Sequence, residues 1–305
     1  MASKSSLFHK NLTAISELSR QDIEIILSLA KNFKRQKNHR YLENKIIATA
    51  FFEPSTRTRL SFETAVLRLS GKVIGFSDSR STSSAKGETL EDTIRMLSSY
   101  ADAIILRHPE AKSAERAARV STVPVINGGD GDGEHPTQTL LDLFSILETQ
   151  GKIDGLTIAM TGDLKHGRTV HSLAKALAYY KVKLVFISDP RLAMPTEIIR
   201  ECQRAGLELE LREKLELKDV DVLYMTRYQK ERWTGDLLDI QPLVLTPKEL
   251  VGVSQNFKIM HPLPRVNELA IEVDLTPYAY YFQQAENGLF VRQALLCLIL
   301  SDIRV

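Results

Sequence analysis

Residues Ile46–Glu63 read IIATAFFEPSTRTRLSFE and carry the signal that decides the fold. The segment Ile46–Phe52 is an almost continuous apolar run, which is typical of a strand buried on both faces. Two arginines and three hydroxyl side chains then fall within Ser55–Arg59. A helix beginning there would present unpaired backbone N–H groups and the positive end of its dipole. The stretch therefore predicts either an anion site or an ordinary N-cap with solvated arginines.

Short apolar runs alternate with amphipathic segments along the rest of the chain. A first helix is expected to begin at Ser19, where Asp22 completes a capping-box pattern. Further strands are predicted at Val73–Phe76, Ala103–Leu106, Val123–Ile126, Leu156–Met160, Leu184–Ile187, Leu207–Leu211, Val222–Met225 and Lys258–Met260. Helices are predicted at Leu60–Ser70, Thr89–Tyr100, Ser113–Val120, Pro136–Thr149, Thr169–Tyr180, Pro195–Ala205 and Leu289–Asp302.

This alternation predicts an α/β protein with two doubly wound parallel-sheet domains. The helix that begins at Pro136 is a plausible bridge between the two halves. Ligands of open α/β sheets bind beyond the carboxyl ends of the strands. We therefore expect the active site in the cleft between the two domains.

Composition excludes several classes of function. The 305 residues include 40 Lys and Arg and 38 Asp and Glu, so the net charge is +2 and no global field favours nucleic acid or a membrane surface. Cys202 and Cys297 form neither a CxxC pair nor a disulfide framework. The N-terminus lacks the apolar stretch of a signal peptide. A cytoplasmic location and the absence of a metal or other cofactor are expected.

Polar side chains follow the inferred strands of both halves. Any one of them could be a surface ion pair, a structural histidine or a solvated arginine. Their shared position is more informative, because buried unpaired cations are costly and a group of arginines at one kind of sheet edge requires anionic ligands. These residues are Arg57, Arg107, His135, Arg168 and Arg227.

Two glycine-rich stretches do not fit nucleotide motifs. The turn after Gly162 misses the GxGxxG spacing, which weakens the hypothesis of a dinucleotide-dependent oxidoreductase. The stretch Asp130–Gly133 is only a faint match to a calcium loop. A flexible turn that delivers His135 and Gln138 to one face of a helix start is the favoured interpretation.

Seven motifs together resemble the catalytic chains of aspartate carbamoyltransferases. They occur in family order and span nearly the whole chain: STRTRLSFE, ILRHP, GDGDGEHPTQTLLDLF, GDLKHGRTVHSL, YMTRYQKER, HPLPRV and FQQAENGLFVRQALL. The resemblance implies a carbamoyl-phosphate-binding domain of residues 1–136 plus 288–305 and an aspartate-binding domain of residues 137–287. It also implies transfer of the carbamoyl group to L-aspartate, with release of phosphate, in pyrimidine biosynthesis.

The resemblance assigns carbamoyl phosphate to residues of the first domain. The phosphate would be held by Ser55, Thr56, Arg57 and Thr58. The carbonyl oxygen would be bound by Thr58, Arg107 and His135, and the NH2 group by Gln138. Arg59 is expected to be structural and to pair with Glu63 at i+4.

The resemblance assigns the second substrate to the other domain. Arg168, Arg227 and Gln229 would bind the two carboxylates of aspartate, and the backbone carbonyls of Leu263 and Pro264 would accept carbamoyl or amine hydrogens. Lys86 would enter from a neighbouring subunit, which implies a homotrimer with shared active sites. The departing phosphate is favoured over His135 as the acceptor of the amine proton.

Three positions depart from the family pattern. The family usually has Ser four residues before the loop lysine, where this chain has Thr82, so a hydroxyl of Ser81, Thr82 or Ser83 is expected to reach the neighbouring site. His166 stands where Tyr is common. The segment Trp233–Leu250 matches poorly.

Two alternatives remain open at this stage. An ornithine carbamoyltransferase would typically have an HCLP motif where this chain has His261–Pro264. A non-catalytic anion-binding subunit would be expected to lose Arg57, Arg107 or His135, and none is lost. The similarity of the late motifs to chains that pair with a zinc-containing regulatory chain also leaves a dodecamer open.

Overall fold

The structure is a computed structural model that describes residues 5–36, 38–78, 86–131 and 133–303. The chain divides into two compact units: Met1–Leu141 with Glu286–Val305, and Asp142–Ala285. Each unit contains one β-sheet in which all pairs of neighbouring strands are parallel. The predicted α/β class with two parallel sheets is confirmed.

The first unit holds a four-stranded sheet. Its strands are β1 (Ile46–Phe51), β2 (Lys72–Phe76), β3 (Ala103–His108) and β4 (Val125–Asp130), in the spatial order β2-β1-β3-β4. Its helices are α1 (Arg20–Arg35), α2 (Thr56–Arg68), α3 (Leu90–Tyr100) and α4 (Ser113–Val120). Two longer helices, α5 (Pro136–Gln150) and α8 (Tyr281–Leu300), carry the chain across the boundary between the units.

Burial on both faces of β1 explains its apolar sequence. Ala48 and Ala50 pack with Ile94 of α3 and Ala117 of α4 in one hydrophobic cluster, while Phe51 is equally buried. The helices themselves begin at local signals. Ser19 caps α1 by accepting the Asp22 backbone N–H, and the Asp22 carboxylate accepts the Ser19 N–H, so the predicted capping box is confirmed.

The second unit holds a five-stranded sheet. Its strands are β5 (Thr157–Thr161), β6 (Lys183–Ile187), β7 (Glu208–Arg212), β8 (Val222–Met225) and β9 (Lys258–Met260), in the spatial order β7-β6-β5-β8-β9. Its helices are α6 (Arg168–Leu177) and α7 (Thr196–Arg204). Ala159, Val185 and Leu223 of three neighbouring strands share one buried cluster with Ile259 and Phe257.

Three element boundaries differ from the sequence expectation by four residues or more. Helix α2 begins at Thr56, four residues before the predicted Leu60, because Ser55 already takes the extended N-cap conformation. Strand β4 continues to Asp130 and includes the polar and glycine residues that seemed to end it. Helix α8 begins at Tyr281, eight residues before the predicted Leu289.

The early start of α8 was hidden by polar residues on its buried side. Gln284 and Asn287 are both buried, so the apolar period that indicates a helix is interrupted before Leu289. No helix within the described residues is both long enough and apolar enough to cross a membrane.

An ion-pair network joins the edge strand β7 to its neighbour β6. The Glu210 carboxylate lies 2.7 Å from Arg212 Nε and 2.9 Å from Lys183 Nζ, and Arg212 Nη2 lies 2.6 Å from Asp219. Hydrogen bonds from Arg212 and then Lys183 lower the pKa of Glu210 to about 2, against an ordinary value of 4.5. The charged form of Glu210 is therefore favoured in the folded chain.

A Glu210→Gln variant tests this network. Because the pKa is lowered on folding, the ionised carboxylate stabilises the fold above about pH 4.5, and this contribution is lost as pH falls towards 2. We expect a lower free energy of unfolding for Glu210→Gln at about pH 7 and a smaller difference from wild type at about pH 3, measured by urea denaturation.

Glu208→Gln is the matched control, since Glu208 contacts only Lys183 in this network, at 3.1 Å. We expect this control to change the free energy of unfolding little at either pH. An equal loss in both variants, or a loss for Glu210→Gln that does not depend on pH, would contradict the assignment.

Candidate functional site

The N-terminus of α2 lies just beyond the carboxyl end of β1. Ser55 is its N-cap residue, yet the Ser55 side chain makes no capping hydrogen bond within the described part of the chain. The first backbone N–H groups of a helix have no intrahelical acceptors. Ser55, Thr56 and Arg57 therefore offer hydroxyl, amide and guanidinium donors in one turn, and Thr58 is buried beneath them.

Arg57 and Arg59 have different surroundings although they are two residues apart. Arg59 Nε lies 2.8 Å from the Glu63 carboxylate, which confirms the predicted i+4 ion pair. Arg57 is exposed and forms no hydrogen bond or ion pair with any residue that the structure describes. Partial burial of its guanidinium, together with the charge of the neighbouring Arg107, lowers the pKa of Arg57.

Arg107 is positioned by the end of β3, where it pairs in register with Phe51 of β1. Its side chain is only 13% exposed; Nη2 lies 2.7 Å from Glu53 and Nη1 donates to the Gly128 carbonyl at 3.1 Å. Burial lowers the pKa of Arg107, and the charge of Glu53 opposes that shift. Among the described residues, Glu53 supplies the carboxylate that pairs with Arg107.

The end of β4 brings His135 to the same edge. A Cβ atom added at Gly129, whose φ is +115°, would lie 2.8 Å from Arg107 Nη1 and 3.3 Å from His135 Cδ2. One added at Gly128 would lie 3.7 Å from Thr58 Cγ2. Thr58, Arg107 and His135 therefore meet around two residues that have no side chain.

Buried hydrogen bonds hold the described part of this loop. The Asn127 amide oxygen accepts the Gly129 N–H at 2.7 Å, and the Asp130 carboxylate accepts the Glu134 N–H at 2.9 Å. His135 then caps α5, because its carbonyl accepts the Gln138 N–H at 2.9 Å. Gln138 is half-buried in the first turn of that helix.

Sequence analysis also assigned Lys86 and Thr82 to this site. Lys86 is exposed and makes no hydrogen bond or ion pair with a residue inside the described ranges. Thr82, with its neighbours Ser81 and Ser83, lies outside the described residues.

The second unit places its arginines at the ends of neighbouring strands. Arg168 begins α6 after the turn that follows β5, and Arg227 follows β8. A Cβ atom at Gly162, whose φ is +107°, would lie 2.1 Å from the Thr226 carbonyl oxygen, so the turn lies directly against the end of β8. Arg227 Nη1 donates to Glu231 at 3.2 Å, and this pairing lowers the pKa of Glu231.

Asp163 connects the two arginine-bearing segments. Its fully buried carboxylate accepts hydrogen bonds from the backbone N–H of His166 at 3.1 Å and of Gln229 at 3.2 Å, and from Trp233 Nε1 at 2.9 Å. The Gln229 amide donates to the His166 carbonyl at 2.7 Å. Trp233, in the segment that departs from the family pattern, is thus an anchor of this loop.

Leu263 and Pro264 follow β9, the strand next to β8. Their peptide bond is cis, and Leu263 has a left-handed φ of +51°. Such a φ is unfavourable for a residue with a side chain, by roughly 1–2 kcal/mol. The backbone N–H of Leu263 is held by His261 Nδ1 at 2.8 Å.

Sequence reasoning missed the acceptors that organise both groups. Glu53, Asp130 and Asp163 each lie within two residues of the carboxyl end of a buried strand. An acidic residue within two residues of a strand end was the sequence feature that could have identified these acceptors. No group of three or more His, Cys, Asp or Glu side chains that could hold a metal ion occurs among the residues described here.

Fold and site together define an α/β protein with arginines that could bind anions beyond the carboxyl ends of its strands. Two family models match the chain: the carbamoyl-phosphate-binding domain of aspartate/ornithine carbamoyltransferases over residues 10–148, and their Asp/Orn-binding domain over residues 154–299. The chain therefore belongs to the aspartate/ornithine carbamoyltransferase family.

Relatives cover almost the whole chain. It is 50% identical over 300 residues to the aspartate carbamoyltransferase catalytic subunit of Chromobacterium violaceum, covering 97% of this chain and 99% of that one. It is 51% identical to catalytic subunit 2 of Shewanella halifaxensis, covering 97% of each. The Trypanosoma cruzi aspartate transcarbamoylase, in complex with N-(phosphonacetyl)-L-aspartic acid, is 38% identical with a TM-score of 0.92 and 98% coverage of both chains.

A Gly129→Ala variant tests the convergence of Arg107 and His135. The added Cβ would displace one of these side chains, so we expect inorganic phosphate to bind roughly tenfold more weakly, a loss of about 1.4 kcal/mol. The measurement is the rise in melting temperature with phosphate concentration.

Gly151→Ala is the matched control, because Gly151 also has a positive φ, +73°, but a Cβ there would meet no atom within 4 Å. Both variants should lose some intrinsic stability from backbone strain. Only Gly129→Ala should lose stabilisation by phosphate, and equal phosphate responses in the two variants would refute the convergence.

Proposed function

We propose that this chain transfers the carbamoyl group of carbamoyl phosphate to the amine of L-aspartate, a step of pyrimidine biosynthesis. The amine nitrogen attacks the carbonyl carbon, the bond from that carbon to the phosphate oxygen breaks, and N-carbamoyl-L-aspartate and phosphate are formed. Support comes from family membership and from relatives named as catalytic subunits over almost the full length.

The observation that carries the proposal is the meeting of two guanidinium groups and a histidine at one sheet edge. Arg107 is mostly buried, Arg57 lies close enough for its pKa to be lowered by the charge of Arg107, and His135 is beside Arg107 at Gly129. A phosphorylated ligand would compensate this positive charge, and a carbonyl oxygen beside it would gain negative charge during attack.

The first unit would hold carbamoyl phosphate. Ser55, Thr56, Arg57 and Thr58 would bind the phosphate at the start of α2, where the helix dipole also favours an anion. Thr58, Arg107 and His135 would bind the carbonyl oxygen and Gln138 the NH2 group. Each donor to a developing oxyanion is typically worth about 3–4 kcal/mol.

The second unit would hold aspartate. Arg168, Arg227 and Gln229 would bind its two carboxylates, since Arg forms bidentate hydrogen bonds with carboxylates. Arg227 is paired with Glu231, so a substrate carboxylate would take the place of the Glu231 carboxylate. Holding two anionic substrates in reacting geometry can supply about 7–11 kcal/mol of the barrier reduction.

The amine proton is proposed to leave with the phosphate. His135 is buried at the start of α5, where the positive end of the helix dipole disfavours a cationic imidazole. A neutral His135 is better used as a hydrogen-bond donor to the carbonyl oxygen. The departing phosphate is a base within reach of the attacking amine.

Aspartate is favoured over ornithine by charge. Ornithine has a cationic side chain, which two arginines at neighbouring strand ends, Arg168 and Arg227, would repel. The chain also has Pro262 where ornithine enzymes typically place Cys. A purely non-catalytic role is disfavoured because Arg57, Arg107 and His135 are all present.

We further propose that the chain acts as a homotrimer with shared active sites. Several apolar side chains of the first unit are exposed, as is common at interfaces: Leu60 and Leu67 of α2, Ile74 of the edge strand β2, and Met96 and Tyr100 of α3. Lys86 lies between β2 and α3 in sequence and is exposed, as expected of a residue that enters a neighbouring site. Pairing with a regulatory chain and the expected cytoplasmic location stay predictions.

Replacing Arg57 by Ala tests the proposed phosphate site at the start of α2. Wild type should release phosphate only when carbamoyl phosphate and L-aspartate are both present. We expect Arg57→Ala to lose roughly 10²–10³-fold in kcat, because a charged donor to the reacting group is removed. Arg59→Ala is the matched control, with the same charge change on the same helix, and it should retain most of the activity. Similar kcat values for Arg57→Ala and Arg59→Ala would contradict the proposed phosphate site.

Mixing two inactive variants tests the shared sites. Lys86→Ala and Arg57→Ala chains are unfolded, combined in equal amounts and refolded together. If each site takes Arg57 from one chain and Lys86 from its neighbour, about a quarter of the sites would be intact in random trimers. Phosphate release should then recover to about that fraction, whereas each variant refolded alone stays inactive. No recovery would count against interchain catalysis.

A further inference from the structure

His261 and Glu268 form a buried pair at the end of β9. Their side chains are 1% and 2% exposed, and His261 Nε2 lies 2.8 Å from Glu268 Oε1. His261 begins the HPLPR segment, and Glu268 lies three residues after its end. This segment contains the carbonyls of Leu263 and Pro264, which the family resemblance assigns to carbamoyl or amine hydrogens. Nothing in the proposed chemistry uses either side chain directly.

The hydrogen bonds of His261 define its tautomer. Nδ1 lies 2.8 Å from the backbone nitrogen of Leu263, which can only donate, so Nδ1 accepts and carries no proton. Nε2 must then carry the proton, and it donates to Glu268. His261 is therefore a neutral imidazole with both nitrogens engaged, and it cannot accept a proton at Nδ1 without losing the Leu263 N–H.

Glu268 holds the other end of the same turn. Its carboxylate accepts the backbone N–H of Val266 at 3.1 Å and of Asn267 at 3.1 Å, in addition to His261 Nε2. Although burial opposes it, the hydrogen bond from His261 holds the pKa of Glu268 below its ordinary range. All its observed partners are donors, so an ionised carboxylate is the form that satisfies them.

A second set of buried groups fixes the backbone of His261. Its N–H donates to Gln284 Oε1 at 2.7 Å, and the Gln284 amide donates to Asp142 at 2.7 Å. Tyr224 donates its hydroxyl hydrogen to the other oxygen of Asp142 at 2.8 Å. His261 thus cannot shift without breaking hydrogen bonds inside the core of the second unit.

We propose that His261 and Glu268 are positioning residues, which fix the direction of the Leu263 and Pro264 carbonyls towards the N–H groups of the reacting amine and carbamoyl group. This inference rests on the proposed function. The left-handed Leu263 turns its N–H inward to His261, and the HPLPR backbone can then present its carbonyls on the outer side of the turn.

The pair should affect the transition state more than substrate binding. As the amine attacks, its nitrogen gains positive charge, so hydrogen bonds from its N–H groups to carbonyl oxygens become stronger. A carbonyl displaced by about 1 Å then lowers kcat, by up to roughly 10²-fold. The Michaelis constants depend mainly on the arginines that bind phosphate and carboxylates, and they should change little.

The test compares two substitutions of His261. His261→Ala removes both hydrogen bonds, and we expect kcat to fall roughly 10²-fold with both Michaelis constants within about threefold of wild type. In His261→Asn, the amide oxygen can still accept an N–H two residues on, as in an Asx turn. We expect the kcat of this conservative variant to be roughly tenfold higher than that of His261→Ala.

Tyr224→Phe is the control for loss of a buried hydrogen bond in the same core. It should lower the melting temperature and leave kcat near wild type, since Tyr224 is four hydrogen bonds away from Leu263. If His261→Ala is unfolded at the assay temperature, Glu268→Gln replaces it, because the amide group puts a donor against backbone N–H groups without changing side-chain size. The same change in kcat without a change in Michaelis constants is expected.

The possible outcomes separate the two claims. If wild type is active and His261→Ala has the same kcat, the positioning role alone would be overturned. Equal losses of kcat in His261→Ala and His261→Asn would overturn it as well. A wild-type chain that releases no phosphate from carbamoyl phosphate and aspartate would overturn the proposed function and this inference with it. The expected pattern is a low kcat in His261→Ala, a partly recovered kcat in His261→Asn and a normal kcat in Tyr224→Phe.

Discussion

Positive charge at the edge of the first sheet is the constraint on which the site of the first unit depends. Arg57 lies in the first turn of α2 and Arg107 near the end of β3, and partial burial of each guanidinium lowers its pKa. Only one carboxylate, that of Glu53, pairs with Arg107, and Arg57 has no hydrogen-bond or ion-pair partner among the described residues. An anionic ligand relieves this imbalance, which is why charge at the sheet edge determines the chemistry that can occur there.

Buried hydrogen-bond acceptors hold the loops of the site in place, as the strands position the arginines. Asn127 and Asp130 hold the loop that leads to His135, Asp163 ties the segment of Arg168 to that of Gln229, and Glu268 with His261 closes the turn at Leu263. Each acceptor satisfies several donors, so removing one would leave backbone N–H groups unpaired. Loops fixed in this way can present functional groups with the precision that a reaction requires.

The sequence predicted the features that depend on short-range pattern. Apolar runs identified every strand of both sheets, and the i+4 spacing identified the Arg59–Glu63 ion pair. The pattern failed where polar residues are buried. Asn127 disguised the end of β4, and Gln284 and Asn287 disguised the start of α8, because these side chains bond to residues that are distant in sequence. The His261–Glu268 pair was missed for a related reason: its role appears only when the direction of each hydrogen bond is known.

The choice of acceptor tests the central claim most directly. Carbon-13-labelled carbamoyl phosphate is mixed with the purified chain and equal concentrations of L-aspartate and L-ornithine, and the labelled carbon is followed by NMR. The arginines at the ends of β5 and β8 predict that the label appears in N-carbamoyl-L-aspartate as phosphate is released. Label in carbamoyl-ornithine, or no transfer to either amine, would contradict the account.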